Sequence, residues 1–245
     1  MSNYGAVSTP LQRAANNTVN DDHARKQSMQ KNISNTASNT APATLQLVKP
    51  IESICVYCGS GKGVNPAYAL TARKFGKALA NANIRLVYGG GSLGLMGEVA
   101  KAVLGAGGKV TGIIPEFLGA REQMLRDVDE LIVVKDMHAR KKLMFERSDA
   151  FVALPGGIGT LEELVEQLTW SQLGQHSKPI VVANIEGFWT PFLALLAHMK
   201  NETFIRAGLD VHFSVVDDAE KILPAVLAAA EPSTGKSDAA IVKKF

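Results

Sequence analysis

The chain predicts a doubly wound α/β fold of Rossmann-like type, one parallel sheet with helices on both faces. Three observations carry this. At 245 residues and 46% hydrophobic, the chain is long and apolar enough to bury a full core in one domain. Short apolar runs alternate with longer segments of helical period, and strands joined through helices form parallel sheets. Glycine-rich loops follow three of the apolar runs, at Gly59–Gly63, Gly89–Gly94 and Gly156–Gly159. In such sheets ligands bind beyond the C-terminal ends of the strands, near a switch in strand order, so one cleft would collect all three loops.

Taken in order, residues 1–48 are rich in Asn, Ser, Thr, Ala and Gln, with few large apolar residues and no sustained period. Such a segment cannot bury enough surface to offset its ordering entropy, and it reads as a disordered extension. It lacks the apolar stretch of a secretory signal; Arg13, Arg25, Lys26 and Lys31 leave a transit peptide open, and Asp21 and Asp22 count against one. The Rossmann-like domain is expected over 49–230, with a flexible tail over 231–245. No apolar run reaches the roughly 20 residues that cross a bilayer, so no membrane span and a cytoplasmic location are expected. The net charge of +3, without any DNA- or RNA-reading signature, gives no reason to expect nucleic acid as a partner.

Ile51–Tyr57 reads as a strand, and a helix follows from Pro66, where proline is tolerated in a first turn, to Ala82. Ile84–Tyr88 is a second strand and Gly94 to Ala106 a second helix. Lys109–Ile114 is a third strand ending at Pro115, followed by a polar connection with Arg121 and Glu122. A strand at Leu131–Val134, a helix at Met137–Arg147 and the run Ala150–Ala153 come next. Beyond the last glycine loop, the apolar spacing Leu161, Leu164, Val165, Leu168 sets a helix with Glu163 and Trp170 on its other side. Strands at Pro179–Ala183 and Val211–Val216 and helices at Phe188–Met199 and Ala219–Ala229 complete the pattern.

The stretch Leu154-Pro155-Gly156-Gly157-Ile158-Gly159-Thr160-Leu161-Glu162-Glu163 lies between a strand and a helix. A helix N-terminus offers unpaired N–H groups and the positive end of its dipole, and glycines let an anion approach the backbone, so this is the expected phosphate site. Thr160 adds a hydroxyl and suits an N-cap. In the preceding helix Met137, Arg140, Met144 and Arg147 form one stripe, and His138, Arg140, Lys141 and Lys142 would make the cleft electropositive.

Two motifs point elsewhere and are weaker. Gly89–Gly94 fits G-x-G-x-x-G, with Glu116 where a ribose-binding acid is expected, but it follows the second strand rather than the first. Cys55 and Cys58 form C-x-x-C along a strand and not at a helix start, so two reduced thiols are the better reading than a redox pair. The five histidines lack ligand spacing, and no structural zinc is expected.

Four segments together carry a family resemblance: Gly89-Gly90-Gly91-Ser92-Leu93-Gly94-Leu95-Met96-Gly97, Met137-His138-Ala139-Arg140-Lys141, Pro155 to Glu163, and Thr169-Trp170-Ser171-Gln172-Leu173-Gly174. In order and spacing, from about Ile54 to Val216, they resemble the LONELY GUY (LOG) family of cytokinin riboside 5′-monophosphate phosphoribohydrolases, whose members are often labelled lysine decarboxylases. The resemblance implies a homodimer that hydrolyses the N-glycosidic bond of a nucleoside 5′-monophosphate. The family's catalytic pair falls on Arg140 and Glu163. Its substrate contacts fall on Arg140, Lys141, Gly157, Ile158, Gly159, Thr160, Leu161, Glu162, Glu163, Thr169 and Glu122, with Met137 and Gly156 in the same motifs. The turn around Glu122 matches only loosely, and Gly61-Lys62 stands where the family often has serines.

Those residue types suit the reaction. Breaking a ribosyl C–N bond builds positive charge on the sugar, which a carboxylate such as Glu163 would stabilise while orienting hydroxyls or activating water. Arg140 stays protonated, so it would clamp substrate or stabilise charge on the departing base. Gly89, Gly90, Gly91 and Ser92, with Gly156 to Thr160, would hold the phosphate. The scheme requires neither metal nor organic cofactor. The rival readings are a general purine nucleotide nucleosidase and a module that binds a nucleotide without cleaving it. Lysine decarboxylation usually needs an electron-sink cofactor, and no pyridoxal phosphate lysine motif is evident.

Overall fold

Continuous apolar runs make strands that are covered on both faces, and the computed structural model, which describes residues 50–119, 123–206 and 208–231, shows them so. The strands are β1 (Ser53–Tyr57), β2 (Arg85–Tyr88), β3 (Val110–Pro115), β4 (Glu130–Val134), β5 (Ala150–Ala153), β6 (Ile180–Ala183) and β7 (Ser214–Val216). Every residue of β1, β3, β5 and β6 is buried, whereas β4 and β7, at the two sheet edges, are only partly covered. All pairings are parallel and the order is β4-β3-β2-β1-β5-β6-β7. The chain therefore winds outward from β1 to β4, then crosses back to β5 on the other side of β1. That reversal puts the switch point between the C-terminal ends of β1 and β5.

The helices are α1 (Pro66–Asn81), α2 (Gly94–Gly105), the single turn α3 (Glu116–Gly119), α4 (Met137–Glu146), α5 (Ile158–Gln172), α6 (Thr190–Asn201) and α7 (Ala219–Ala230). The turn α3 occupies the start of what the sequence suggests is an irregular connection, and a 3₁₀ turn at Ile185–Gly187 delays α6 to Thr190. On one face of the sheet α1, α2 and α7 bury Phe75, Leu79, Val99, Val103, Ile222 and Val226. Truncating a fully buried phenylalanine such as Phe75 to alanine costs on the order of 3–5 kcal/mol. On the other face α4, α5 and the start of α6 cover Cys55, Tyr57, Val87, Ile113, Phe151 and Val182.

Helix starts reveal how the backbone donors are used. Asn65, Asp136 and Asp218 cap α1, α4 and α7, their side-chain oxygens accepting from Ala67, Ala139 and Glu220 N–H at 2.8–2.9 Å. The two glycine-loop helices, α2 and α5, have no side-chain cap, their N-cap positions being Leu93 and Gly157. Thr160 is thus not the N-cap that its residue type suggested; it lies inside the first turn, buried. The 1–48 extension, the tail beyond Glu231 and Glu122 lie outside the described residues. Among the described residues, no helix is long and apolar enough to cross a membrane.

Candidate active site

The site is built at the switch point from two crossings. Leu154 N–H donates to Tyr57 O (2.9 Å) and Gly59 N–H to Pro155 O (3.1 Å), which ties the β1 loop to the β5 loop. On the opposite flank the β1 loop runs into the start of α2: Gly59 O accepts from Leu95 N–H (2.9 Å) and Met96 N–H (3.3 Å), and Gly61 O from Leu95 N–H (3.3 Å). The loop's own carbonyls therefore occupy the N-terminus of α2. Gly94 makes this possible, because its φ of +58° favours glycine and a Cβ there would overlap the backbone of Ser60. Ser92 N–H is likewise taken by Gln123 O, at 3.0 Å.

The N-terminus of α5 is different. Ile158, Gly159 and Thr160 carry the first-turn amides, which have no intrahelical acceptor, and a Cβ at Gly157 or Gly159 would meet nothing within 4 Å. Beside it opens a cavity of about 280 Å³ between Gly59–Gly63 and Pro155–Gly157, walled by Tyr68 and Phe188, whose rings meet edge to face at 5.6 Å.

Across the crevice α4 faces α5. Arg140 is 7% exposed, its Nε donating to Ile113 O at 3.2 Å and its Nη1 to Met137 Sδ at 3.9 Å. The guanidinium lies directly over Gly89, where any Cβ would collide with it. Glu163, also 7% exposed, brings Oε1 to 3.7 Å from Arg140 Nη1, an electrostatic contact longer than a hydrogen bond. Beneath the pair, Cys55 and Tyr57 project from the same face of β1. Burial pushes the Cys55 thiol up, helped by Glu163, and pushes the Tyr57 hydroxyl well up, helped by Cys55 and then Glu163, so both are neutral at neutral pH.

The structure corrects the expected electropositive cleft. Lys141 Nζ is bound by Glu162 Oε1 and by Glu166 Oε2 at 2.7 Å. Burial alone would lower its pKa, but the two carboxylates win and the net shift is upward. His138 and Lys142 are exposed, and Arg147 reaches Glu130 at 3.3 Å instead of sharing the buried stripe. Glu163 is also not opposite the core: the buried face of α5 is Thr160, Glu163, Leu164, Gln167 and Leu168, while Val165 is exposed. Trp170 is half-buried, edge-on to Phe145 at 5.1 Å.

Of the other expected residues, Gly90 and Gly91 are buried and pair with the segment at Met124 and Leu125, Gly156 packs on Thr160, and Leu161 turns toward the core. Ile158 is exposed, and Thr169 gives its hydroxyl to Val165 O at 2.7 Å. Glu116 is exposed at the first position of α3, immediately after β3 ends at Pro115. Cys55 and Cys58 are buried free thiols that belong to the cores on opposite faces of the sheet, a placement that does not suit a redox pair. Among the described residues, no three His, Cys, Asp or Glu side chains cluster as a metal would need. Sequence reasoning missed Cys55, Tyr57 and Glu166; the period-2 alternation of β1 could have placed the first two on the α5 side.

The family model described as "Possible lysine decarboxylase" matches residues 96–226. The cytokinin riboside 5′-monophosphate phosphoribohydrolase LOG of Oryza sativa subsp. japonica is 51% identical over 152 residues, 62% of this chain and 63% of that protein. The cytokinin riboside 5′-monophosphate phosphoribohydrolase of Rhodococcoides fascians is 44% identical over 176 residues, 71% of this chain and 89% of that protein. Among solved structures, the molybdenum cofactor carrier protein of Chlamydomonas reinhardtii superposes with a TM-score of 0.55 at 26% identity, over 74% of this chain and 98% of that one.

Proposed function

We infer the chemistry of this site from one premise: the chain belongs to the LOG family of cytokinin riboside 5′-monophosphate phosphoribohydrolases. It is an N-glycosyl hydrolase that cleaves cytokinin riboside 5′-monophosphates to the free base and ribose 5-phosphate. The observation that carries our assignment of residues is the buried Arg140–Glu163 pair beside the uncapped start of α5.

In this proposal the 5′-phosphate docks on the amides of Ile158, Gly159 and Thr160, where dipole and donors both favour an anion. That sets the ribose over Glu163. As the C1′–N bond breaks, its electron pair leaves with the base, water adds its oxygen to C1′, and the proton released from water ends on the base. Glu163 stabilises the positive charge growing on the sugar and draws the proton from the attacking water. Arg140 is fixed by Ile113 O and cannot act as a base; it stabilises the negative charge of the departing base. Burial of both groups strengthens these interactions relative to water.

We extend the proposal to a homodimer and a cytoplasmic site of action. Ile158 and Val165 on α5 and Leu173 at its C-cap are exposed apolar residues, as are Leu195 and Met199 on α6, surfaces that a second copy would cover. The unbridged thiols suit a reducing compartment.

The test is chromatographic release of free base from isopentenyladenosine 5′-monophosphate, AMP and the unphosphorylated riboside in parallel. Preference for the prenylated monophosphate is expected. Preference for AMP would make the protein a general nucleotide nucleosidase, and cleavage of the riboside as fast as its monophosphate would sink the phosphate assignment. The likeness to a cofactor carrier supports a second reading, nucleotide binding without cleavage, which predicts saturable binding and no base release.

A further inference from the structure

The cavity beside α5 is walled unevenly. Its Pro155–Gly157 side leads straight into a helix, and the first part of the β1 loop is tied through Gly59 and Gly61 to Pro155 and to the start of α2. From Lys62 to Val64 the chain makes no backbone–backbone hydrogen bond among the described residues, although Lys62 and Gly63 line the same cavity. Besides the ring of Tyr68 against Gly63, what holds this stretch is a side chain. Lys62 Nζ lies 2.8 Å from Glu98 Oε1 on α2, and Arg73 Nη1 on α1 lies 2.7 Å from the other oxygen. Lys62, then Arg73, hold the Glu98 carboxyl below the usual carboxylate range against the effect of burial, so it is ionised at neutral pH. The Glu98 side chain is 19% exposed, that of Lys62 65%.

We propose that Glu98 is a positioning residue for this cavity: through Lys62 it straps the segment from Lys62 to Val64 to α2 and so fixes the wall beside the docked phosphate. The inference rests on the phosphate placement proposed above. The strap has a fixed end and a free end. Glu98 sits on a helix, is mostly covered, and stays paired with Arg73 when the lysine leaves, so the carboxylate keeps its place. Lys62 is mostly in water and loses little on letting go. With the strap fastened, the wall keeps bulk water off the cavity beside Gly156 and Gly157, and a hydrogen bond to an anion is stronger in a drier site. With it lifted, the berth is wetter and the phosphate is held less tightly. The tie belongs to this chain rather than to the loop as such, since it needs a cation in the stretch Gly61-Lys62, where the family often has serines.

Glu98→Gln removes the charge and keeps the shape. Trypsin cuts after lysine, so cleavage at Lys62 in the folded protein, followed by mass spectrometry of the fragment that ends there, reports how often the strap lifts. Cleavage should run about two- to fivefold faster in Glu98→Gln than in wild type, the scale of one exposed ion pair. Equal rates would overturn the tie. In steady-state kinetics KM for isopentenyladenosine 5′-monophosphate should rise by a similar factor with kcat unchanged. Lys62 is on the surface, where substitution leaves the fold intact: Lys62→Met should repeat the rise in KM, and Lys62→Arg should keep the wild-type value. An unchanged KM in Glu98→Gln and Lys62→Met, or an equal rise in Lys62→Arg, would overturn the positioning role. The unphosphorylated riboside keeps the two readings apart. Its KM should not move; a rise shared by both substrates, with faster tryptic cleavage, would support the strap and overturn the phosphate placement.

Discussion

The starts of α2 and α5 look alike in the sequence and differ in the structure. Each follows a buried strand, each is glycine-rich, and each lacks a side-chain cap. At α2 the donors are already spent on Gly59 O and Gly61 O, and Gly94 is there to let the β1 loop press against the helix. At α5 nothing of the kind intervenes, and Gly157 and Gly159 have open space in front of them. A glycine pattern announces that something approaches the backbone closely; whether it is a ligand or another stretch of the same chain depends on distant residues.

The contrast can be broken at four points. The largest expected effect is on catalysis beside the open helix: Glu163→Gln should lose about 10²–10³-fold or more in base release while still binding ribose 5-phosphate. Near-normal turnover would remove Glu163 from the mechanism. Next, Gly94→Ala should destabilise the fold by on the order of 3 kcal/mol or more, since it adds left-handed strain and a backbone collision at the occupied helix start. Denaturant unfolding with an unchanged midpoint would refute that. Gly159→Ala, by contrast, adds its methyl in open space within a helix and should stabilise by about 0.5–1 kcal/mol, while raising KM for the monophosphate but not for the riboside. If both substrates shift equally, the open amides are not where the phosphate sits.

The smallest effect concerns the opposite end of α5. His176 Nε2 lies 3.2 Å from Gln167 O and its Nδ1 accepts Lys178 N–H at 3.1 Å, so protonation would put two donors face to face. Burial, with the charge of Lys178 assisting, lowers its pKa from the ordinary 6.5. A base whose pKa is lower folded than unfolded contributes stability that is present above the unfolded value and lost as pH falls through it toward the folded one. Melting temperature should therefore decline slightly more steeply below about pH 6.5 in the wild type than in His176→Gln; parallel curves would exclude this group.

The sequence made the sheet legible because buried parallel strands are continuous apolar runs, and it made Arg140 and Glu163 legible through their motifs. It did not show the full phase of α5: Leu164 and Leu168 are buried and Leu161 packs on the core as their spacing predicts, but Val165 is exposed, and Glu163 and Gln167 are buried because Arg140 and the polar floor of Cys55 and Tyr57 receive that face. Nor could local spacing show that Lys141 is neutralised by two carboxylates from another helix, or that Ile113 O, 27 positions away, holds Arg140. Trp170, on the other side of α5 by its spacing, is covered by Phe145 of α4.

On the proposed docking, the carbonyl stopper at α2 also sets the polarity of the bound nucleotide. A crevice with two vacant dipole ends would let a nucleotide lie in either direction, its base over the acid in one pose and its sugar in the other. Gly59 O seals one end, which on the proposed docking leaves the phosphate the start of α5, and Glu163 lies roughly 7.5 Å further along the same helix than Ile158, by the rise of five residues. On the proposed docking, α5 then works as a ruler whose zero mark is the phosphate, and a substrate is measured before it is cut.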